Sequence, residues 1–229
     1  LRLKKVWKRD EEKDRPNEVI FNITRSYEKD GKAHTEYIAD NAVYIKNNTL
    51  LSAASEADFD FDDGYITLTD NDGDSRFDVV SAAEYDIYIT DSVLPESEKI
   101  GDKSKTKATL DLSDRDYVLR RQGGGKLELS EIEEFDCLNV ITPINAEGRY
   151  EIIVTSSKYE GIITAHDDEK IYIDGAPYKT SNGILPTDAE NGKKCTFVTD
   201  ASGKIAYLSI NNNGSGTYGW VLRAMLDPK

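Results

Sequence analysis

The chain has 229 residues, 38% of them hydrophobic and 31% charged, with a formal net charge of −14. That length admits one or two domains and a core large enough to stand without disulfide staples. A field of that sign repels phosphate backbones and argues against nucleic acid as a partner, while divalent cations and basic or neutral surfaces stay open.

In chain order, the opening LRLKKVWKRD lacks Met and reads as a piece cut from a longer precursor, so its silence about targeting decides nothing. KRDEEKDR (8–15) alternates in charge sign, as a solvated loop does. EVIFNITRS (18–26) then sets Val19, Phe21 and Ile23 against polar neighbours. The same alternation returns in YITLT (65–69), FDVVS (77–81) and EYDIYIT (84–90), and in later runs such as YEIIVTS, KIYID, CTFVT and KIAYLSI. Period-two runs between Gly, Asn and Asp clusters predict an all-β fold. Stretch 48–58 predicts a short helix and 129–135 one or two helical turns linking strands; in the latter, Ser130 and Glu133 have capping-box spacing. DDG at 62–64, NDGD at 71–74, DG at 174–175 and DASG at 200–203 predict hairpin turns. QGGGK (122–126) predicts an exposed hairpin tip, and NNNGSG (211–216) a flexible junction. No apolar run reaches the roughly 20 residues that a membrane helix needs.

The expected organisation is a β-rich unit with short helical turns over residues 1–157, then a domain over 158–229. The second would be a small five-stranded SH3/OB-like barrel with a C-terminal strand. Five alternating runs in so short a stretch suit a closed sheet, which also removes adhesive edges.

The densest chemical signal is TDNDGDSRFD (69–78). Asp70, Asp72 and Asp74 alternate as the first ligands of a calcium loop do, and Asp78 adds a direct or water-mediated fourth. Ser81 stands where the closing bidentate acid would be, so the spacing supports a weak calcium site or a bare Asp-Gly hairpin tip. The acids of EADFDFDDGY (56–65) belong to the other end of the intervening strand and read as a solvated loop. RRQGGGK lacks the Lys-Ser/Thr ending of a phosphate loop. HExxH, GxSxG, GxGxxG before a helix and a Cys–His pattern are all missing, so no enzyme is expected. Cys137 and Cys195 are expected to be separate buried thiols, and His34 and His166 are isolated. Trp7, Trp220 and the tyrosines are strand positions that could also stack on sugars.

YITLTDNDGDSRFDVVSAAEYDIYITDSV, ATLDLSDRDYVLRRQGGGKLELSEIEEFDCLNVI, YEGIITAHDDEKIYIDGAPYKTS, CTFVTDASGKIAYLS and YGWVLRA follow one another over residues 36–224. In order and spacing they resemble the repeated β-modules of large secreted surface proteins of Gram-positive bacteria, which often carry S-layer homology modules. LKKVWKRDEEKDRPNEVIFNITRS also resembles the opening of Cna-B-type stalk domains, although the rest of that pattern does not follow. The resemblance implies a non-catalytic, extracellular stalk, array or scaffold segment at a cell surface. Its implied partners are other copies or domains of the same protein, or cell-wall or host glycans if the scaffold serves as an adhesin. It implies neither nucleic-acid binding nor membrane insertion of this segment. The two cysteines replace the aliphatic residues that the resemblance leads one to expect.

Overall fold

The computed structural model describes residues 24–29, 32–105, 107–145, 148–167, 170–181 and 190–211. The charged loop at 8–15, Trp7, the first residues of the 18–26 run, the junction beyond Asn211 and Trp220 lie outside the described residues. What is described is all-β, in three sheets.

The first sheet contains β1 (Thr24–Lys29), β2 (Lys32–Lys46), β3 (Thr49–Leu51), β4 (Gly64–Thr69) and β5 (Phe77–Glu84). Its order is β1-β2-β5-β4, with β3 beside β2. β4 and β5 form the expected hairpin, antiparallel from Gly64↔Glu84 to Thr69↔Val79. The period-two pattern turns Ile66 and Leu68 of β4 into a core with Ile38, Phe59 and Val80. The helix expected over 48–58 is corrected. Asn47 and Asn48 take φ of 45° and 62°, which makes a two-residue turn between β2 and β3. Only Glu56–Phe59 coils, as a 3-10 turn held by Ser55, whose N–H and Oγ both donate to Asp58 Oδ2 at 2.7 and 2.8 Å.

The second sheet contains β6 (Asp86–Leu94), β7 (Lys99–Asp102), β8 (Leu110–Asp111), β9 (Tyr117–Arg121), β10 (Lys126–Leu127), β11 (Cys137–Ile141) and β12 (Tyr150–Thr155). Its order is β10-β9-β12-β11-β6-β7-β8. The sheet curls, because Ile100 and Leu110 from one edge share a core with Leu119 and Leu127 from the other. The helical turn expected at 129–135 is a 3-10 turn at Leu129–Glu131. Its box is Glu128 and Glu131, with the Glu128 N–H donating to Glu131 Oε2 at 2.8 Å. The box thus falls before the Ser130–Glu133 pair. The shift lets Leu129 and Ile132 enter the core.

The third sheet contains β13 (Lys158–His166), β14 (Lys170–Ile173), β15 (Ala176–Lys179), β16 (Lys194–Thr199) and β17 (Ile205–Ile210). Its order is β15-β14-β13-β16-β17. β13 serves both halves: its first part pairs with β16, its last with β14, and the register shifts between Ile163 and Ala165. At Gly161 a Cβ would stand 2.3 Å from Ile173 Cγ2, so the bend needs glycine there. The expected closed barrel is corrected as well. The described strands form an open sheet whose ends meet at one parallel bridge, Thr180↔Ile205, and not along a ladder.

Candidate functional site

The turn between β4 and β5 is shaped by its own acids. Asp70 is 7% exposed, and its two oxygens accept the N–H groups of Gly73 (2.6 Å) and Ser75 (3.1 Å). Gly73 and Ser75 lie at φ of 83° and 76°, conformations that a loop visits when a local acceptor compensates. Asp78 Oδ2 accepts the Asn71 N–H at 2.6 Å, and Asp72 Oδ1 that of Asp74 at 3.1 Å.

Of the four predicted ligands, the fold brings three together. One oxygen each from Asp70, Asp72 and Asp78 lie within 4.8 Å of one another. Asp74 is not in that group; its Oδ1 accepts the Arg76 N–H at 2.7 Å and fixes the return of the turn. The turn also holds the buried Asn71 side-chain oxygen, which has no hydrogen-bond partner among the described residues. A calcium ion takes six to eight oxygens, so three carboxylates with free lone pairs and water in the remaining positions suit weak binding. The acids of 58–63 stand at the opposite end of β4, as expected. Asp63 is buried there, and the Asp63 carbonyl accepts the Tyr85 N–H at 3.2 Å.

A second constellation was missed from sequence. Tyr85, Ile87, Ile89, Cys137, Ile141 and Val198 form one core cluster, with Tyr65, Ala83, Phe135 and Tyr207 packed on it. Those residues come from all three sheets. Around the cluster, polar side chains bind backbone across each boundary. Asn47 Nδ2 donates to the Thr142 carbonyl at 2.8 Å, joining the first sheet to the second. Asn139 is fully buried; its Nδ2 donates to Ile153 O at 2.8 Å and its Oδ1 accepts the Ala201 N–H at 2.9 Å. Thr155 Oγ1 donates to the Thr199 carbonyl at 2.8 Å and Gln122 Nε2 to the Ala201 carbonyl at 2.8 Å, so the second sheet holds the third at several points. Lys204, itself buried, reaches from the third sheet to the Asp62 carbonyl of the first.

Asp200, 1% exposed, organises the turn that receives these bonds: it accepts the Ser202 and Lys204 N–H groups, Ser202 Oγ and Ser181 Oγ. Burial, and then the Asp200 carboxylate, push the Tyr85 hydroxyl far above its ordinary range. Cys137 is buried beside it and its thiol is pushed up by desolvation; Cys195, in β16, shifts the same way for the same first reason. Both cysteines are free and lie in different sheets. The signal that could have found the junction is Asn139 itself, one amide inside the apolar strand CLNVI, where all five residues are buried.

An open cleft lies between the 95–98 turn and the β9–β10 edge, lined by Pro95, Glu98, Tyr117, Lys126 and Ser130 among others. Tyr117 donates its hydroxyl to Glu98 Oε1 at 2.7 Å. No described helix is long and apolar enough to cross a membrane. Comparison with protein-family models, with curated proteins and with solved structures gives no match to this chain.

Proposed function

We propose that this chain is a non-catalytic structural segment, a stalk, array or scaffold module of a secreted bacterial cell-surface protein. The observation that carries the reading is the junction, where three sheets share one apolar cluster and exchange buried hydrogen bonds. Modules that only needed to be tethered would be joined by exposed linkers; modules that must hold a fixed spacing share desolvated contacts. Two of the junction's buried polar side chains are occupied by structural bonds. Asp200 has four donors, and Asn139 has a partner on each side. The division at 157/158 falls in the short gap between β12 and β13, and each side has a core of its own besides the shared one. The Gram-positive assignment rests on the resemblance of residues 36–224.

The adhesin alternative would use the cleft at Tyr117. A sugar platform wants two or three coplanar aromatics, and Tyr117 is the one aromatic on that lining, so the scaffold reading is preferred. In either case the acidic turn serves as a weak calcium clamp at extracellular concentrations, with Kd on the order of 10⁻⁴ to 10⁻³ M. The test is protease or antibody access to this segment on intact cells of the source. Accessible epitopes on washed cells are the expected result; protection until lysis would overturn the assignment.

A further inference from the structure

β4 ends the first sheet, with β5 on one side only. Which of its backbone groups face outward follows from the ladder. Tyr85 N–H donates to the Asp63 carbonyl, so 63/85 is a hydrogen-bonded pair, and alternation makes 65/83, 67/81 and 69/79 the others. The far side of β5 agrees: Ala82 O accepts from Asn47 N–H, and Glu84 N–H donates to Asn47 Oδ1, so the even positions of β5 turn away from β4. The outward N–H and C=O groups of β4 are therefore those of Gly64, Ile66 and Leu68.

Among the described residues, most other edges are blunted. β1 carries Arg25, Glu28 and Lys29. β8 and β10 have two residues each and β3 three. β15 contains Pro177; β17 is an exception, six uncharged residues of which Ile205 alone is bridged, to Thr180. β4, GYITLT, has six residues with neither charge nor proline, the kind of edge that soluble proteins normally disarm. It is flanked instead by acid: residues 56–78 hold nine Asp or Glu against one Arg. Those flanks repel a second copy of the same edge and attract a strand that brings positive charge.

We propose that the β4 edge is an acceptor for an extended basic segment. Its uncharged middle would pair with Ile66 and Leu68, and its Lys or Arg ends would lie against the acidic turns at 60–63 and 70–74. This goes beyond the scaffold reading and does not depend on calcium. Six residues of strand span about 20 Å, so a short peptide reaches both flanks.

The probe is a dye-labelled synthetic peptide with Lys-Arg at each end and an alternating Val/Thr centre, titrated into the full chain in chelator at low salt. Saturable binding is expected. It should weaken about tenfold in high salt, and by a similar factor in a variant carrying Asp60→Asn, Asp62→Asn and Asp74→Asn. These three residues are exposed, so the variant should keep its fold, which its melting temperature checks. Hydrogen exchange supplies the second readout. The Ile66 and Leu68 amides should exchange fast in the free chain and slow down with peptide, while Thr67 is protected throughout. Absence of saturable binding overturns the proposal. So does binding that is indifferent to the triple variant, binding that leaves Ile66 and Leu68 unprotected, or protection of both amides before peptide is added.

Discussion

Asp70 shows how much one side chain can settle. Its carboxylate binds two N–H groups in a turn that visits left-handed backbone twice. Replacing it with Ala removes both of these bonds, one of them on a residue bent against its preference. Asp70→Ala should therefore lower stability by about 1–3 kcal/mol in chelator, as denaturant unfolding would measure. Asp72 is exposed and bonds only the neighbouring Asp74 N–H, so Asp72→Ala should cost less than about 0.5 kcal/mol. The calcium reading adds a separate expectation. Millimolar calcium should raise the melting temperature of the wild type and not of Asp72→Ala. If the two rise equally, the turn is a hairpin tip alone. The sequence showed the carboxylate spacing, because alternation around one glycine is local. It could not show that Asp74 would turn to the Arg76 N–H, because that choice depends on the φ of Ser75.

Among the elements, the β9–β10 edge carries a titration that can be predicted. Tyr117 has its hydroxyl pushed up to about 12, by burial first and then by its bond to Glu98. The fold favours the neutral phenol, so this stabilisation is complete below the unfolded value near 10 and is lost as pH rises through about 12. Wild type and Tyr117→Phe should therefore converge in stability across that alkaline window, and a constant difference would show that the Glu98 bond is not what holds the turn. Glu98 also accepts the Leu112 N–H through its carbonyl, at 2.9 Å, so loosening the pair should expose β8 to hydrogen exchange as well. Most strands were legible in the sequence because period two is visible in any window of five residues. Sheet order was not. The parallel pairing of β2 with β5, and of β9 with β12, joins segments separated by other strands, and the alternation within a strand is blind to its neighbour. The barrel expectation failed for the same reason: five runs predict five strands, but closure is set by twist and by the bend at Gly161.

Across the whole molecule, the question is whether three cores behave as one. The shared cluster around Ile89 and Cys137 predicts a single cooperative unfolding transition. Asn139→Ala leaves the Ala201 N–H and the Ile153 carbonyl without their partner in a dry site. It should cost about 2–3 kcal/mol and split the transition, with the third sheet melting first. Thiol counting gives an independent view. Neither cysteine of the native wild type should react, both should react in denaturant, and in Asn139→Ala Cys137 should become labelled at temperatures where the second sheet remains folded. If Asn139→Ala still melts in one step, the coupling resides in the apolar cluster rather than in the amide.

The bond from Asn139 to Ala201 has a further consequence, for descent. Protein modules diversify by shuffling, which works when a unit can be lifted out and set beside a stranger. Here the second sheet offers a buried acceptor that only a backbone N–H at one point of the neighbour's turn can meet, and that turn is held in shape by Asp200. A unit inherited without its companion would carry a buried amide oxygen with no donor to meet it. Residues 86–210 should therefore travel through duplication and recombination as one heritable block, with breakpoints falling outside it.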